Sequence, residues 1–390
     1  MRSLLALIIT GLILAILPFV SASGDLILEV GLNGGYTDNL LSDSTSLSDR
    51  HSSGSVSVRY YPHSSLEISG TADHSYYDRV LRLSNVHTAL TVTYIPTKAG
   101  ARFSLYTSGT YGGRRYRSEL DDYDNNDFSG TVSAGYKLLP NMLVRAGVNV
   151  KGTAYLAYDS GDQESFEVFS GLNLSLPYKN AFDLEIGYGE TGLKYYPDVD
   201  SLTRRIIVTT IDPGDPEAAL LEGQIKSIYI SPRISRPIGS KTGVSLTLTN
   251  RIFQNSDSKV VAGASVGLLS PWTALWDGWS ATFNVKSYLV PSFVISAGAG
   301  YWEKTFIDVI ESDDFPSFIP NDRQDYQRRY FLSFTRPVTF GGIVLQPNLQ
   351  LNYIDNESNM TSHRVDAESR ATDLYDYSGF SAALGLSFRL

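Results

Sequence analysis

The chain has 390 residues, a net charge of −9, 25 tyrosines, 33 glycines and no cysteine. The missing thiols exclude cysteine catalysis, thiolate metal sites and covalent c-type haem, and the acidity argues against nucleic acid as a partner. Composition alone still admits a secreted β-sandwich or a β-propeller beside a wall with one wet and one greasy face.

The first residues carry a processing signal. Arg2 supplies a positive start, Leu4 to Val20 is almost wholly apolar, and Val20-Ser21-Ala22 offers small residues at signal-peptidase spacing. Cleavage after Ala22 is the expectation, with an uncleaved anchor as the alternative, since the apolar run approaches the length that spans a bilayer. The expected organisation is a signal peptide over 1–22 and a single domain over 23–390.

From there the chain alternates. Leu26, Leu28, Val30 and Leu32 interleave with Glu29, Gly31 and Asn33; Val56, Val58 and Tyr60 interleave with Ser55, Ser57 and Arg59. Leu66 to Ala72, Leu90 to Tyr94, Phe103 to Leu105 and Val132 to Tyr136 repeat the pattern. Met142 to Tyr158 is its clearest instance, with Val144, Ala146, Val148 and Val150 on one face and Arg145, Asn149 and Lys151 on the other. The second half continues through Phe166 to Leu176, Phe182 to Tyr188, Ile228 to Ile234, Val244 to Leu248, Phe283 to Val285, Phe293 to Tyr301, Tyr330 to Phe334, Ile343 to Tyr353 and Tyr375 to Leu390. A period of two means extended strands whose side chains alternate between two environments. A wall of such strands, greasy outside and polar inside, predicts a closed antiparallel transmembrane β-barrel of about sixteen strands, fourteen or eighteen being the alternatives.

The connections alternate as well. Tight turns are expected at Pro62-His63, Pro96 to Gly100, Pro140-Asn141, Pro177 to Asn180, Pro237 to Gly239, Pro291 and Pro337. Longer acidic loops are expected at Asn39 to Arg50, Arg117 to Asp127, Pro197 to Glu222, Ile307 to Asp325 and Asp355 to Asp376. Short periplasmic turns and long extracellular loops are the layout of an outer-membrane barrel. Lys259 to Trp279, with three of the four tryptophans, breaks the parity and reads as a strand end plus an aromatic loop, or as a loop folded into the pore.

The opening Gly34-Gly35-Tyr36-Thr37-Asp38-Asn39 resembles the outer-membrane β-barrel porins associated with export of extracellular polysaccharide. The resemblance implies a porin-like channel in the cell outer membrane, outer-membrane lipid and lipopolysaccharide around it, the barrel-assembly machinery as a partner, and a polysaccharide or periplasmic partner. It also implies an aromatic last residue, whereas this chain ends Ser387-Phe388-Arg389-Leu390.

Chemistry-bearing motifs are few. Asp73 and His74, the best local acid and imidazole pair, point to opposite faces of a strand and cannot meet. Asp121, Asp122, Asp124 and Asp127 could collect calcium through carboxylate oxygens, but they lack the spacing and glycine of an EF-hand and read first as a solvated loop. No cofactor is implied.

The inward row carries the functional expectation. Arg59, Arg102, Arg145, Lys151, Arg233, Arg251 and Lys286 face a lumen with Glu29, Glu67, Asp73, Glu167, Asp183 and Glu185. They read either as interstrand ion pairs that stiffen the wall or as pore-lining charges that select solutes; Tyr106, Tyr155 and Tyr229 could stack on sugar rings. The expected function is a water-filled channel for small hydrophilic solutes or saccharides. The alternatives are a sleeve around a partner such as a multihaem cytochrome, and an outer-membrane enzyme.

Overall fold

A computed structural model describes residues 25–40, 47–96, 100–118, 120–157, 162–195, 221–256, 277–290, 293–307, 322–358 and 377–389. The expected signal peptide and most of Lys259 to Trp279 lie outside the described residues. The strands are β1 (Asp25–Thr37), β2 (Asp49–His63), β3 (Leu66–Tyr77), β4 (Asn85–Tyr94), β5 (Phe103–Tyr116) and β6 (Asn125–Leu139). They continue as β7 (Met142–Tyr155), β8 (Gln163–Leu176), β9 (Asn180–Tyr195), β10 (Leu221–Ile238), β11 (Thr242–Ser256) and β12 (Asp277–Val290). The last are β13 (Phe293–Ile307), β14 (Asp322–Thr335), β15 (Val338–Phe340), β16 (Ile343–Ser358) and β17 (Tyr377–Arg389).

Each strand but β14 pairs antiparallel with the next, β14 pairs with β16, and β17 pairs back onto β1 from Glu29 opposite Arg389 to Thr37 opposite Ser381. The sheet is therefore closed. Thr335 lies opposite Asn348 and Val338 opposite Leu345, so β14 and β15 share one register along β16. Pro337 interrupts them because it has no N–H to give the ladder. The seventeen segments thus make a barrel of sixteen staves. Pro337 accordingly marks a break within a stave; the hairpin turn is Gly341-Gly342, whose φ angles of +53° and +91° suit a two-residue turn of the primed type.

Both described ends of the wall, Asp25 and Arg389, lie at the end with short turns, since Asp25 sits opposite Tyr61 near the β2–β3 turn. The connections of more than eight residues all fall at the other end, as between Tyr195 and Leu221 and between Ser358 and Tyr377. The sequence expectation differs at the strand ends. β10, β14 and β16 run into segments expected as acidic loops, because a strand rising clear of lipid has water on both faces and no longer alternates.

The outer face has three zones. Phe103 opposite Tyr136 belongs to an aromatic row near the short turns, and Tyr111 opposite Phe128 to a second row higher on the wall. Tyr330, Tyr353 and Phe380 continue the upper row across β14, β16 and β17. Eight residues separate Phe103 from Tyr111, Phe128 from Tyr136 and Phe380 from Phe388. At about 3.3 Å per residue and the usual strand tilt, that is an apolar height of roughly 20 Å, close to the ~25 Å band of membrane barrels. Leu90, Val132, Leu248 and Leu384 occupy it, each exposed. The next row above Tyr330 and Tyr353 is already charged: Arg328 bonds Asp355 (2.8 Å) and Glu357 (2.7 Å) on the outer face.

The resembling motif sits at the seam. Asp38 accepts the Phe380 N–H through Oδ1 (2.5 Å) and gives its own N–H to the Phe380 carbonyl (3.1 Å). Asn39, 5% exposed, donates Nδ2 to the Ser378 carbonyl at 3.1 Å. The Asp-Asn pair thus clips β1 to β17 where their ladder ends. Replacing both by alanine is expected to cost about 2–4 kcal/mol at roughly 1–2 kcal/mol per lost bond, read as a lower urea midpoint for the folded, heat-modifiable species. Val148, between Val132 and Val168 on the outer face, gives a second test: Val148→Arg is expected to block assembly, a midplane cation costing about 2–4 kcal/mol. Ser133→Arg, on the opposite face, should assemble normally, as monitored by gel mobility before and after boiling.

Candidate functional site

The inner face is built from the other half of the alternation. Its side chains bond along the wall, strand to strand. Thr131 on β6 gives its hydroxyl to Asn149 Oδ1 on β7 (2.8 Å); Asn149 gives Nδ2 to Glu167 on β8 (2.7 Å). The Tyr229 hydroxyl on β10 reaches Glu185 on β9 (2.9 Å) and Glu167 (3.2 Å), and Arg145 on β7 pairs with Glu185. Opposite charges and amides thus tie five neighbouring staves together, which is the stiffening role open to facing charges. The Arg59 guanidinium pairs with Glu29 at 2.9 Å, and Asn173 Nδ2 donates to Asp183.

Other inward cations stand apart. Among the described residues Lys151, Arg233 and Lys286 form no ion pair; the Lys286 ammonium lies 5.6 Å from the Tyr288 ring centre. Lys151 lines a recess of about 240 Å³ with Glu167 and Arg251. Arg102 differs from the expectation. It precedes β5 in the turn from β4, where its carbonyl accepts the Lys137 N–H (2.8 Å), so it belongs to the short-turn rim.

The acidic loop is put to other uses. Asp124 accepts the Tyr116 N–H at 2.6 Å, and Asp127, on β6, lies 3.4 Å from His87 Nε2. Asp121 opens a short 3₁₀ turn, 121–123. Among the described residues no three carboxylates or histidines converge as a metal site. Asp73 lies opposite His87 on the neighbouring strand, not beside a usable His74.

Aromatic rings on this face lie over glycines of the neighbouring strand, as for Tyr229 and Phe331, or of their own, as for Trp302. A Cβ at Gly187 would strike the Tyr229 ring, one at Gly298 the Phe331 ring, and one at Gly300 the Trp302 ring. Large rings thereby rest against the wall instead of filling the lumen. For Tyr229 the same arrangement holds the hydroxyl between two carboxylates, so it is occupied by the wall and not available as a sugar platform.

Sequence reasoning passed over one cluster, on β13, β14, β16 and β17. Arg329 lies 5.1 Å from the Trp302 ring centre and donates Nε to Gln327 Oε1 (2.9 Å). Gln327, fully buried, also accepts from Lys304 (3.2 Å) and donates to the Tyr377 hydroxyl (3.1 Å). A cavity of about 540 Å³ opens beside it, lined by Trp302, Arg329, Phe331, Asn352 and Ser381 among others. The available signal was Gly298 and Gly300, small inward residues two apart, followed by Trp302 on the same strand, which sets a bare strip of wall beside a large ring.

A closed sixteen-stave barrel with an apolar outer face and a polar inner face has the architecture of a transmembrane β-barrel. Among solved structures the chain is similar to OccAB1 of Acinetobacter baumannii, with 10% identity and a TM-score of 0.46 over 94% of this chain and 97% of that one. It is also similar to a bacterial polysaccharide outer membrane secretin (8%, 0.46, 93% and 98%) and to OmpT, an outer membrane protein of Vibrio cholerae (11%, 0.40, 94% and 97%). No family model matches the sequence, and no curated protein matches it.

Glu185→Gln tests the wall network. It removes the charge facing Arg145 and is expected to lower stability by about 1–3 kcal/mol, as for a charge-assisted bond lost, measured by urea unfolding. Gly187→Val is expected to swing Tyr229 off both carboxylates and to lower the unfolding midpoint at least as far.

Proposed function

We propose that the protein is an outer-membrane channel for passive or weakly selective passage of small hydrophilic solutes. The observation that carries this reading is the division of one closed wall into an apolar outer band between two aromatic rows and a polar inner face bonded along itself. Sixteen strands enclose more space than wall side chains can fill, and polar side chains that satisfy one another laterally leave that space to water.

In this reading the short turns face the periplasm and the long connections face outward. Lipid and lipopolysaccharide surround the band, the signal peptide brings the chain to the assembly machinery, and the protein is a conduit, not a catalyst. Charges already paired, such as Arg59 and Arg145, hold the wall. Lys151, Arg233 and Lys286 act on passing ions and solutes, as charged side chains in pores do.

Reconstitution into planar bilayers tests the proposal. Discrete, stable conductance steps are expected, and the double variant Arg233→Gln, Lys286→Gln should shift the reversal potential in a salt gradient toward cation preference. A barrel that stays sealed under every condition sinks the channel reading.

A further inference from the structure

The geometry points to a subsite for a sugar acid in the cavity against β13, β14, β16 and β17, a reading that rests on the lumen being open to solutes. The central group is Arg329. Its side chain is exposed yet held at two points, by the Trp302 ring 5.1 Å away and by the Nε bond to Gln327 at 2.9 Å. Gln327 is itself fixed by buried Lys304 and by Tyr377. Among the described residues the two terminal nitrogens of Arg329 have no partner.

A guanidinium with its Nε tethered and its terminal edge open is a preformed fork for a planar anion, and little side-chain entropy remains to be lost on binding. A single fork carries one positive charge, which matches a carboxylate better than a phosphate dianion. Lys304 adds no direct contact, being 2% exposed.

The rest of the cavity selects what carries the carboxylate. Phe331 lies against Gly298 and is 36% exposed, so one side of its ring is offered to the cavity. Asn352, exposed, directs its amide toward Ser381 Oγ (3.3 Å) and keeps its carbonyl oxygen available as an acceptor. An apolar ring face beside an amide and a hydroxyl suits a pyranose, which has C–H patches as well as hydroxyls. At about 540 Å³ the cavity has room for one or two sugar residues. Lys286 on the adjacent β12 and Arg233 on β10, which form no ion pair among the described residues, give approaching anions a favourable field.

Isothermal titration of the full-length barrel in detergent tests this directly, with trigalacturonate, maltotriose and inorganic phosphate as probes. Trigalacturonate is expected to bind at least tenfold tighter than maltotriose, and phosphate at equal concentration should not displace it. Arg329→Gln should erase that preference, while Arg329→Lys, which keeps the charge without the fork, should keep only part of it. Assembly of each variant is checked by heat-modifiable mobility. If Arg329→Gln does not assemble, Asn352→Ala takes its place, because it leaves the Arg329 tether intact and should weaken trigalacturonate at least threefold. Equal binding of the two trisaccharides, displacement by phosphate, or variants that bind as the parent does would overturn the subsite. Conductance of the same samples separates the two readings. A sealed barrel that still prefers trigalacturonate refutes the channel alone, and a conducting barrel indifferent to it refutes the subsite alone.

Discussion

Closure of the sheet is the constraint on which everything else depends. In hydrocarbon an unpaired N–H or C=O costs several kcal/mol, so a spanning sheet with two edges is not a stable object. β1 and β17 remove those edges by pairing over nine residue pairs, from Glu29 opposite Arg389 to Thr37 opposite Ser381. Because side chains alternate with a period of two, that register also decides which residues meet lipid and which meet the lumen. A slip of one place at the seam would put Leu384 in water and Ser387 in lipid. The Asp38 and Asn39 clips therefore protect the facing of the wall as well as its continuity.

The inner wall meets two demands that pull against each other. Polar groups must be satisfied, and space must be kept. Bonding along the wall answers both, as Thr131, Asn149, Glu167, Tyr229, Glu185 and Arg145 are linked to one another across β6 to β10. Glycine beneath a ring does the same for bulk, since the missing Cβ lets Tyr229, Phe331 and Trp302 lie against the sheet. What projects from such a wall is then a small set of cations whose charges are not spent on structure.

The fold was legible where physics imposes two environments. Within the apolar band every stave alternates, and the strands expected at Leu26, Val56, Met142 or Phe380 are the strands observed. Above the band the alternation fades because both faces are wet, which is why β16 continues to Ser358 through residues that read as loop. Pro337 misled for a related reason: proline punctuates loops, and here it falls within a stave whose register carries on past it. The site was less legible. Facing could be read from parity, but partners depend on which strands are neighbours and by what offset. Asp73 beside His74 gave no hint of His87, and nothing near Arg329 in sequence announces Gln327 as a clamp shared with Lys304 and Tyr377.

Every lateral pairing among the described staves but one, β14 and β15 counting as a single stave, joins neighbours in the chain. Such a wall can grow hairpin by hairpin with short loop closures, each cheap in chain entropy. The β1–β17 pairing is different: its partners are separated by most of the sequence, and it cannot begin until the last strand has been made. Until then the growing sheet presents two bare edges, and its lifetime in that state is set by the slowest non-local step. The seam is thus a clock as well as a closure, and the side-chain clips at Asp38 and Asn39 act on the one contact for which the whole chain must wait.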